Sequence, residues 1–347
     1  DYTNISLMSS VTIIAAGEIL SNNEFFEKGK ARLKKALQYN EYCGNLSEYN
    51  SVAYTPLAIM ECSRMLEFFK DSECRHAAEV IRGMAWKTLA EHYHSGIKQL
   101  APPQARAYKD LDDGELENFI YIATGGKYGS FDKLTQIVTV PLLMLKNLNC
   151  PEKYLKLFEP KNDFFIDETY YRRNSIRSKN EDTVIVRNVD SPDLRARTYM
   201  DADYCMGAFE ASDLWAQRRT SMIIWGKENY LRLRCIDGDH DYCSAMAYTA
   251  QYKNKMLTNI GFVTDRGSFH YILDKVKDGI VESDLLCFEF EPGGDIKNMK
   301  VERTGNKFKY ISEDITIYLN IKEWFFDGQP GNIEFDEEKK TVRLLCF

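Results

Sequence analysis

The chain has 347 residues, a formal net charge of −7, 44% hydrophobic residues and 28% charged residues, which is the balance of an ordinary globular protein. The length favours two domains over a single hydrophobic core. The negative charge argues against general nucleic-acid binding, and no apolar run approaches the ~20 residues of a membrane-spanning helix, so we expect neither nucleic acid nor membrane as a partner.

The first half of the chain spaces its apolar residues three and four apart, which is the pattern of amphipathic helices. This spacing predicts helices over 5–20 and 25–39. Thr55 followed by Pro56 is typical of a helix start, because threonine caps the first turn and proline fits into it. A third helix is therefore predicted from about 56 to 70.

The segment after this third helix predicts a helical hairpin with a short connection. Asp71 and Ser72 can cap a fourth helix over 73–93, and Gly96 is expected to end it. Farther along, the sequence predicts a helix, a turn and an apolar segment over 113–123, 124–130 and 138–148.

After about residue 160 the pattern changes to the alternation and the β-branched or aromatic content of strands. The predicted strands cover 182–189, 219–226, 230–236, 285–291, 307–321 and 341–347. Strands in series without intervening helices indicate an antiparallel β-sandwich. We therefore predict an α+β multidomain fold, with a helical domain over 1–160 and a β-sandwich domain over 161–347.

Nine cysteines are scattered along the chain, with no CxxC motif and no Cys/His zinc spacing. This odd, unpatterned set favours free thiols in a reducing compartment, so a cytoplasmic location is expected. The chain begins with Asp1, and a removed leader would instead give a periplasmic or secreted protein. The DGDHD run at 237–241 lacks EF-hand spacing, and we expect no bound metal and no cofactor.

The segment HYHSGIKQLAPPQARAY, residues 92–108, concentrates candidate acid–base side chains. His92 and His94 point in different directions if the chain there is helical, and in the same direction if it is extended. One of them can equally serve as a helix cap. Arg106 and Tyr108 follow two prolines that exclude a helix, so an extended backbone presents both on one face. Such a pair suits a carboxylate clamp and a proton-transfer partner, because Arg lowers the pKa of a neighbouring tyrosine.

Two further segments supply candidates. In EYNSVAYT, residues 48–55, the Asn50 amide can donate to a substrate carboxylate, or satisfy local backbone groups as turn residues do, and Tyr54 can contact substrate. In the segment over 197–219, the candidate substrate-binding residues are Tyr199, Trp215, Arg218 and Arg219. Between 171 and 234 there are ten Arg and two Lys, which suit acidic groups of a ligand or pair with nearby Asp and Glu.

The chain resembles carbohydrate-active proteins of the heparinase II/III-like and alginate-lyase-like superfamily, which have an (α/α) toroid and an antiparallel β-sandwich. The resemblance lies in the order of helical hairpins and antiparallel strands, and in the segments 48–55, 92–108 and 197–219. Residues 1–160 are too few for a full toroid, so the chain resembles a shortened or truncated branch. A shortened ring exposes helix faces, which is compatible with a homodimer. The resemblance implies an acidic oligo- or polysaccharide as the partner, bound in the cleft between the two domains.

The resemblance implies a lyase that cleaves uronate-containing glycans by β-elimination. Such an enzyme needs donors or cations on the carboxylate, a base and an acid, and Asn, His, Tyr and Arg commonly fill these roles in proteins of this layout. The first alternative is a glycoside hydrolase, whose carboxylate pair would come from Glu48, Asp201, Asp203, Glu210 and Asp213. The second is a non-catalytic carbohydrate-binding or assembly protein.

Overall fold

The computed structural model describes residues 2–131, 145–170, 173–180, 183–190, 194–238, 240–242, 245–262, 276–277, 280–281, 283 and 285–346. For residues 170, 173–180, 183–190, 194, 276–277 and 280–281 it describes the backbone alone. The chain divides into two compact units. The first comprises Asp1–Leu100, Gln104–Lys161 and Thr169–Arg172, and the second comprises Ala101–Pro103, Asn162–Glu168 and Arg173–Phe347.

The first unit is helical. Its α-helices are α1 (Thr3–Ile19), α2 (Asn23–Cys43), α3 (Tyr54–Phe68), α4 (Ser72–His92), α5 (Glu115–Ala123) and the short α6 (Glu152–Leu155). A two-stranded hairpin, β1 (Tyr93–His94) and β2 (Gln99–Leu100), follows α4. The core of this unit is built from the inward faces of the helices and is centred on buried side chains such as Trp86 and Leu89 of α4.

Capping side chains start two of these helices. Asn22 accepts a hydrogen bond from the Phe25 amide at the start of α2, and Asp71 accepts one from the Cys74 amide at the start of α4. These bonds satisfy amide groups that have no partner inside the helix. The predicted role of Asp71 as a cap is confirmed.

Helix α3 begins earlier than predicted, at Tyr54 instead of 56. Ser51 begins the turn, because its hydroxyl accepts from the Tyr54 amide, while the Thr55 hydroxyl accepts from the Ser51 amide. Each hydroxyl thus accepts from a backbone amide at the other end of the turn, which is the reciprocal arrangement of a capping box. Thr55 lies inside the helix, and its predicted place before the first turn was wrong.

Helix α4 ends at His92, four residues before Gly96. Tyr93 leaves the helix in an extended conformation because it pairs with Leu100 across the β1–β2 hairpin. Gly96 lies in the hairpin turn, so the prediction that it ends the helix was wrong. The turn at 124–130 is confirmed, with a left-handed backbone at Gly125, Gly126 and Gly129. The apolar segment 138–148 lies largely outside the described residues.

The second unit consists of strands. In chain order they are β3 (Phe164–Tyr170), β4 (Arg173–Asn180), β5 (Thr183–Asp190), β6 (Leu194–Met200), β7 (Tyr204–Phe209), β8 (Ala211–Asp213), β9 (Ser221–Trp225), β10 (Asn229–Asp237), β11 (His240–Asp241), β12 (Ala245–Tyr252), β13 (Lys255–Phe262), β14 (Val276–Lys277), β15 (Ile280–Val281), β16 (Leu286–Gly293), β17 (Lys300–Thr304), β18 (Lys307–Ile311), β19 (Thr316–Asn320), β20 (Phe325–Phe326), β21 (Gln329–Pro330), β22 (Ile333–Asp336) and β23 (Thr341–Leu345). The predicted change from helices to antiparallel strands is confirmed, and the chain has an α+β fold.

The strands form one large sheet and several small ones. The nine-stranded sheet has the order β22-β23-β16-β10-β9-β7-β6-β3, with β11 paired to β10. Two three-stranded sheets have the orders β13-β12-β8 and β17-β18-β19. The predicted strand over 307–321 is two strands, because β18 and β19 turn back on each other and pair antiparallel.

A close backbone approach anchors residues 101–103 within the second unit. A Cβ atom on Gly207 of β7 would lie 1.9 Å from the Pro102 carbonyl oxygen, so only glycine fits there. The same carbonyl accepts a hydrogen bond from the Thr198 hydroxyl at 2.6 Å, and Thr198 is the cross-strand neighbour of Gly207. Residues 101–103 are therefore fixed to strands β6 and β7 within this unit.

Candidate functional site

Four side chains of the first unit form what we call the tyrosine–arginine cluster: Tyr2, Tyr54, Arg106 and Tyr108. The hydroxyl oxygens of Tyr54 and Tyr108 are 2.5 Å apart, and Arg106 Nη2 donates to the Tyr108 hydroxyl at 3.0 Å. The guanidinium carbon lies 4.8, 5.6 and 5.5 Å from the ring centroids of Tyr2, Tyr54 and Tyr108. Cation–π attraction to three rings therefore holds the arginine charge beside one phenol oxygen.

The backbone brings these residues together in two ways. Tyr54 is the first residue of α3. In the loop before it, the Tyr49 carbonyl accepts a hydrogen bond from the Ala105 amide at 3.0 Å, which holds this loop beside the segment that carries Arg106 and Tyr108. Arg106 and Tyr108 then lie two residues apart on a non-helical segment, with their side chains in contact. Tyr108 is 53% exposed, so its hydroxyl group belongs to a surface that a ligand can reach.

The surroundings push the pKa values of the two tyrosines apart. Burial, and then the hydrogen bond and charge of Tyr108, raise the pKa of Tyr54 to about 12. Partial burial also raises the pKa of Tyr108, but hydrogen bonds from Tyr54 and Arg106 and the guanidinium charge outweigh it, so the pKa of Tyr108 lies below its usual value. Either hydroxyl can donate in the short bond, and the difference in pKa favours ionisation of Tyr108 before Tyr54. Two titratable groups whose pKa values diverge in this way are candidates for an acid and a base.

Glu48 is a buried carboxyl group beside this cluster. Its Oε2 accepts hydrogen bonds from the Thr3 amide at 3.0 Å and the Ser47 hydroxyl at 2.8 Å. Burial raises the pKa of Glu48, and its charge acts to raise the pKa of both Tyr54 and Tyr108. The segment 48–55 signalled Glu48, but only as a hydrolase carboxylate. Tyr2 had no such signal, because its contact with Arg106 depends on where α1 packs.

The two histidines lie in the interior of the first unit. His92 is 0% exposed, and its Nδ1 must donate to the Thr88 carbonyl at 2.9 Å, because a carbonyl only accepts. Nε2 shares a hydrogen bond with the Tyr49 hydroxyl at 3.0 Å, so both ring nitrogens are engaged. His94 is also buried, and its Nδ1 accepts from the Ile97 amide at 3.3 Å across the turn. Neither ring is used in the function proposed below.

Asn50 lies in the loop just before α3 and is buried. Its backbone is left-handed, with φ of 54°, a conformation that asparagine adopts more readily than most residues. This geometry gives Asn50 a role in shaping the loop that carries Tyr54. Its suggested contact with a substrate carboxylate stays a prediction.

The candidates from the second unit are engaged inside that unit. The Tyr199 hydroxyl donates toward Asp163 and Asp201, at 3.1 Å from each, and the Tyr199 ring is buried. Trp215 is buried too, with the Arg218 guanidinium 5.5 Å from its ring.

The adjacent arginines are likewise buried. Arg218 forms an ion pair with Asp213, and Arg219 donates to the Ala216 carbonyl at 2.8 Å. Several other arginines of the Arg-rich stretch also pair with acids, as Arg232 and Arg234 do with Glu291 at 2.7 and 3.1 Å. The arginine side chains from 172 to 187 lie outside the described part of the chain. Within the described residues, no group of three or more His, Cys, Asp or Glu side chains could hold a metal ion.

One family model matches the N-terminal part of the chain. The model of a domain of unknown function, DUF8769, matches residues 1–113. No curated protein and no solved structure matches the chain. The matched segment contains all four members of the tyrosine–arginine cluster and Glu48. A helix that is both long and apolar enough to cross a membrane does not occur among the described residues.

Proposed function

We propose that the protein is a carbohydrate-active lyase that cleaves uronate-containing glycans by β-elimination at the tyrosine–arginine cluster. The observation that carries this proposal is the contact of one exposed phenol oxygen, that of Tyr108, with both an arginine and a second tyrosine. The proposal includes the architecture of the resembled proteins, in which the helices of the first unit belong to a shortened (α/α) toroid and the strands form a β-sandwich.

The cluster supplies each chemical role of the elimination. Tyr108, with its lowered pKa, takes the proton from the carbon that bears the uronate carboxylate. The electron pair of that C–H bond forms a double bond to the next ring carbon, and the glycosidic C–O bond breaks. The leaving oxygen takes the proton of Tyr54, whose pKa is raised. The proton on Tyr108 then passes across the 2.5 Å contact to Tyr54, which restores both groups.

Arg106 supports the same step electrostatically. Its charge lies beside Tyr108 and stabilises the phenolate before proton transfer. A uronate carboxylate bound near the guanidinium gains stabilisation as negative charge develops on the substrate, which is where transition-state stabilisation is largest. The proposal therefore needs neither histidine as a base.

The decisive test is the ultraviolet absorbance of the unsaturated uronate product with alginate, glycosaminoglycans and plant uronates as substrates. We expect Tyr108→Phe to lower kcat at least about a hundredfold, the usual contribution of acid–base catalysis. Tyr121→Phe, at another partly exposed tyrosine of the first unit, is the matched control and should leave the rate unchanged. Absence of unsaturated product on every substrate, or full activity of Tyr108→Phe, would contradict the proposal.

A glycoside hydrolase is the second candidate, because the Tyr199 hydroxyl bridges two carboxylates. Asp163 and Asp201 each lie 3.1 Å from that hydroxyl, so the contacting oxygens are no more than roughly 6 Å apart, a limit that includes the roughly 5–5.5 Å of retaining glycosidases. However, the hydrogen bonds from Lys253 and Tyr199 lower the pKa of Asp163, whereas a general acid needs a raised one. New reducing ends without unsaturation, lost in Asp201→Asn, would favour this candidate.

A further inference from the structure

The hairpin of β12 and β13 has one buried face and one exposed face. Along β12, Ala245, Ala247, Thr249 and Gln251 are buried, whereas Tyr248, Ala250 and Tyr252 are exposed. A sheet face toward solvent normally carries polar side chains. Here Tyr248 is 51%, Tyr252 70% and Leu257 of β13 69% exposed. We call this surface the hairpin face.

The strand register fixes the arrangement of the hairpin face. Tyr248 lies opposite Asn259, Ala250 opposite Leu257, and Tyr252 opposite Lys255. Directly opposed residues of an antiparallel pair point to the same side of the sheet. The face therefore has a small apolar centre of Ala250 and Leu257, a tyrosine on each side of it, and an amide or an ammonium group beside each ring.

The spacing and orientation of the tyrosines suit an extended ligand. Tyr248 and Tyr252 are four residues apart on one strand, so their rings stand roughly 13 Å apart along it. Phe165 holds the Tyr252 ring in an edge contact, with centroids 6.0 Å apart at 62°. The turn beside it is fixed by Lys253, which donates to both carboxylate oxygens of Asp163 at 2.7 Å.

We propose that the hairpin face is a second glycan-binding site, which holds a chain of uronate-containing sugars on Tyr248 and Tyr252. A tyrosine ring offers an apolar surface for a sugar ring and a hydroxyl for its polar edge. Lys255, directly opposite Tyr252, complements a uronate carboxylate. The choice of an acidic sugar as the ligand rests on the proposed function, but binding at this face does not require that the protein cleave the glycan.

The test is affinity electrophoresis of the full chain in gels that contain alginate, hyaluronan or polygalacturonate, with dextran as a neutral reference. We expect retardation in at least one acidic gel, and a dissociation constant at least about tenfold higher for Tyr248→Ala/Tyr252→Ala. Lys255→Glu should weaken binding in acidic gels. The control Tyr318→Ala removes a 75% exposed tyrosine from the β17-β18-β19 sheet and should migrate as the wild type does.

Failure of this inference is distinct from failure of the lyase proposal. Tyr108→Phe should keep full retardation, so loss of product formation in that variant tests only the catalytic role. The hairpin face is excluded as a glycan site if the wild type is not retarded in any acidic gel, or if the double variant is retarded equally. Loss of a concentration-dependent dimer in the double variant, without loss of retardation, would assign the face to self-association and overturn the proposal.

Discussion

Tyr108 and Tyr54 have the same side chain, but their surroundings shift their pKa values in opposite directions. The Tyr108 hydroxyl accepts from Arg106 and shares a hydrogen bond with Tyr54, and both contacts lower the pKa of Tyr108. Burial, and then the hydrogen bond and charge of Tyr108 2.5 Å away, raise the pKa of Tyr54, so Tyr54 holds its proton more tightly than Tyr108 does. At the residue scale, the asymmetry therefore comes first from the burial of Tyr54 and from the hydrogen bond between the two phenols, and Arg106 adds to it through its hydrogen bond and its charge.

The lowered pKa of Tyr108 sets the pH dependence that we expect of the proposed elimination. Because the base must be ionised, kcat/KM should rise with pH through the pKa of Tyr108, which lies below the usual 10.0 of tyrosine. Arg106→Gln removes the charge that favours the phenolate, so the rising limb should move to higher pH. Arg106→Lys keeps a charge and should move it less.

The same shift can be measured without turnover. Tyrosinate absorbance is titrated in the wild type and in Tyr108→Phe, and the difference between the two curves is the titration of Tyr108. The same two measurements in the Arg106→Gln background give the change in the pKa of Tyr108 directly. An unchanged titration in that background would remove Arg106 as the cause. Movement of the kinetic limb alone would then point to another group as the base.

At the scale of secondary structure elements, Asp71 connects the start of α4 to α2. Its carboxylate accepts from the Cys74 amide at 2.9 Å and from Lys30 Nζ at 2.8 Å. We expect Asp71→Ala to lower the free energy of unfolding by about 1–2 kcal/mol, mostly through loss of the cap, since partly exposed ion pairs contribute less. Urea unfolding followed by helical circular dichroism measures the change.

Asp71→Asn separates the two contributions, because asparagine caps a helix as well as aspartate does but forms no ion pair with Lys30. It should be less destabilising than Asp71→Ala. Equal damage in both variants would show that the ion pair is dominant. The hydrogen bond from Lys30 lowers the pKa of Asp71, so the ion-pair contribution is complete above the unfolded pKa of about 3.8 and is lost as the pH falls through the folded value.

Structural features that depend on residues close in sequence could be predicted, whereas features that depend on distant parts of the chain could not. Asp71 caps a helix three residues from the amide that it serves, and this was predictable. The end of α4 was not, because Tyr93 leaves the helix to pair with Leu100. The side-by-side placement of Arg106 and Tyr108 followed from their spacing after two prolines. The contact of Arg106 with Tyr2 could not be predicted, since it joins distant parts of the chain.

At the scale of the whole molecule, the two units carry different kinds of surface. The first unit has a cluster of hydrogen-bonded tyrosines around Arg106, and the second has the hairpin face with its two exposed tyrosines. Tyr108→Phe and Tyr248→Ala/Tyr252→Ala therefore address chemistry and affinity separately. A protein that binds glycans without cleaving them would lose function only in the second variant, which gives the non-catalytic alternative its own signature.

The cysteines allow a prediction for the entire chain. All eight in the described residues are buried thiols, and burial raises the pKa of Cys62, Cys150 and Cys346 to about 12. A pKa of about 12 in place of 9.0 leaves roughly a thousandfold less thiolate at neutral pH, so these side chains should react slowly with thiol reagents in the native protein. In denaturant without reductant, all nine cysteines should react with the thiol reagent. The thermal midpoint should be the same with and without dithiothreitol, and fewer than nine thiols or a lower midpoint in reductant would reveal a disulfide.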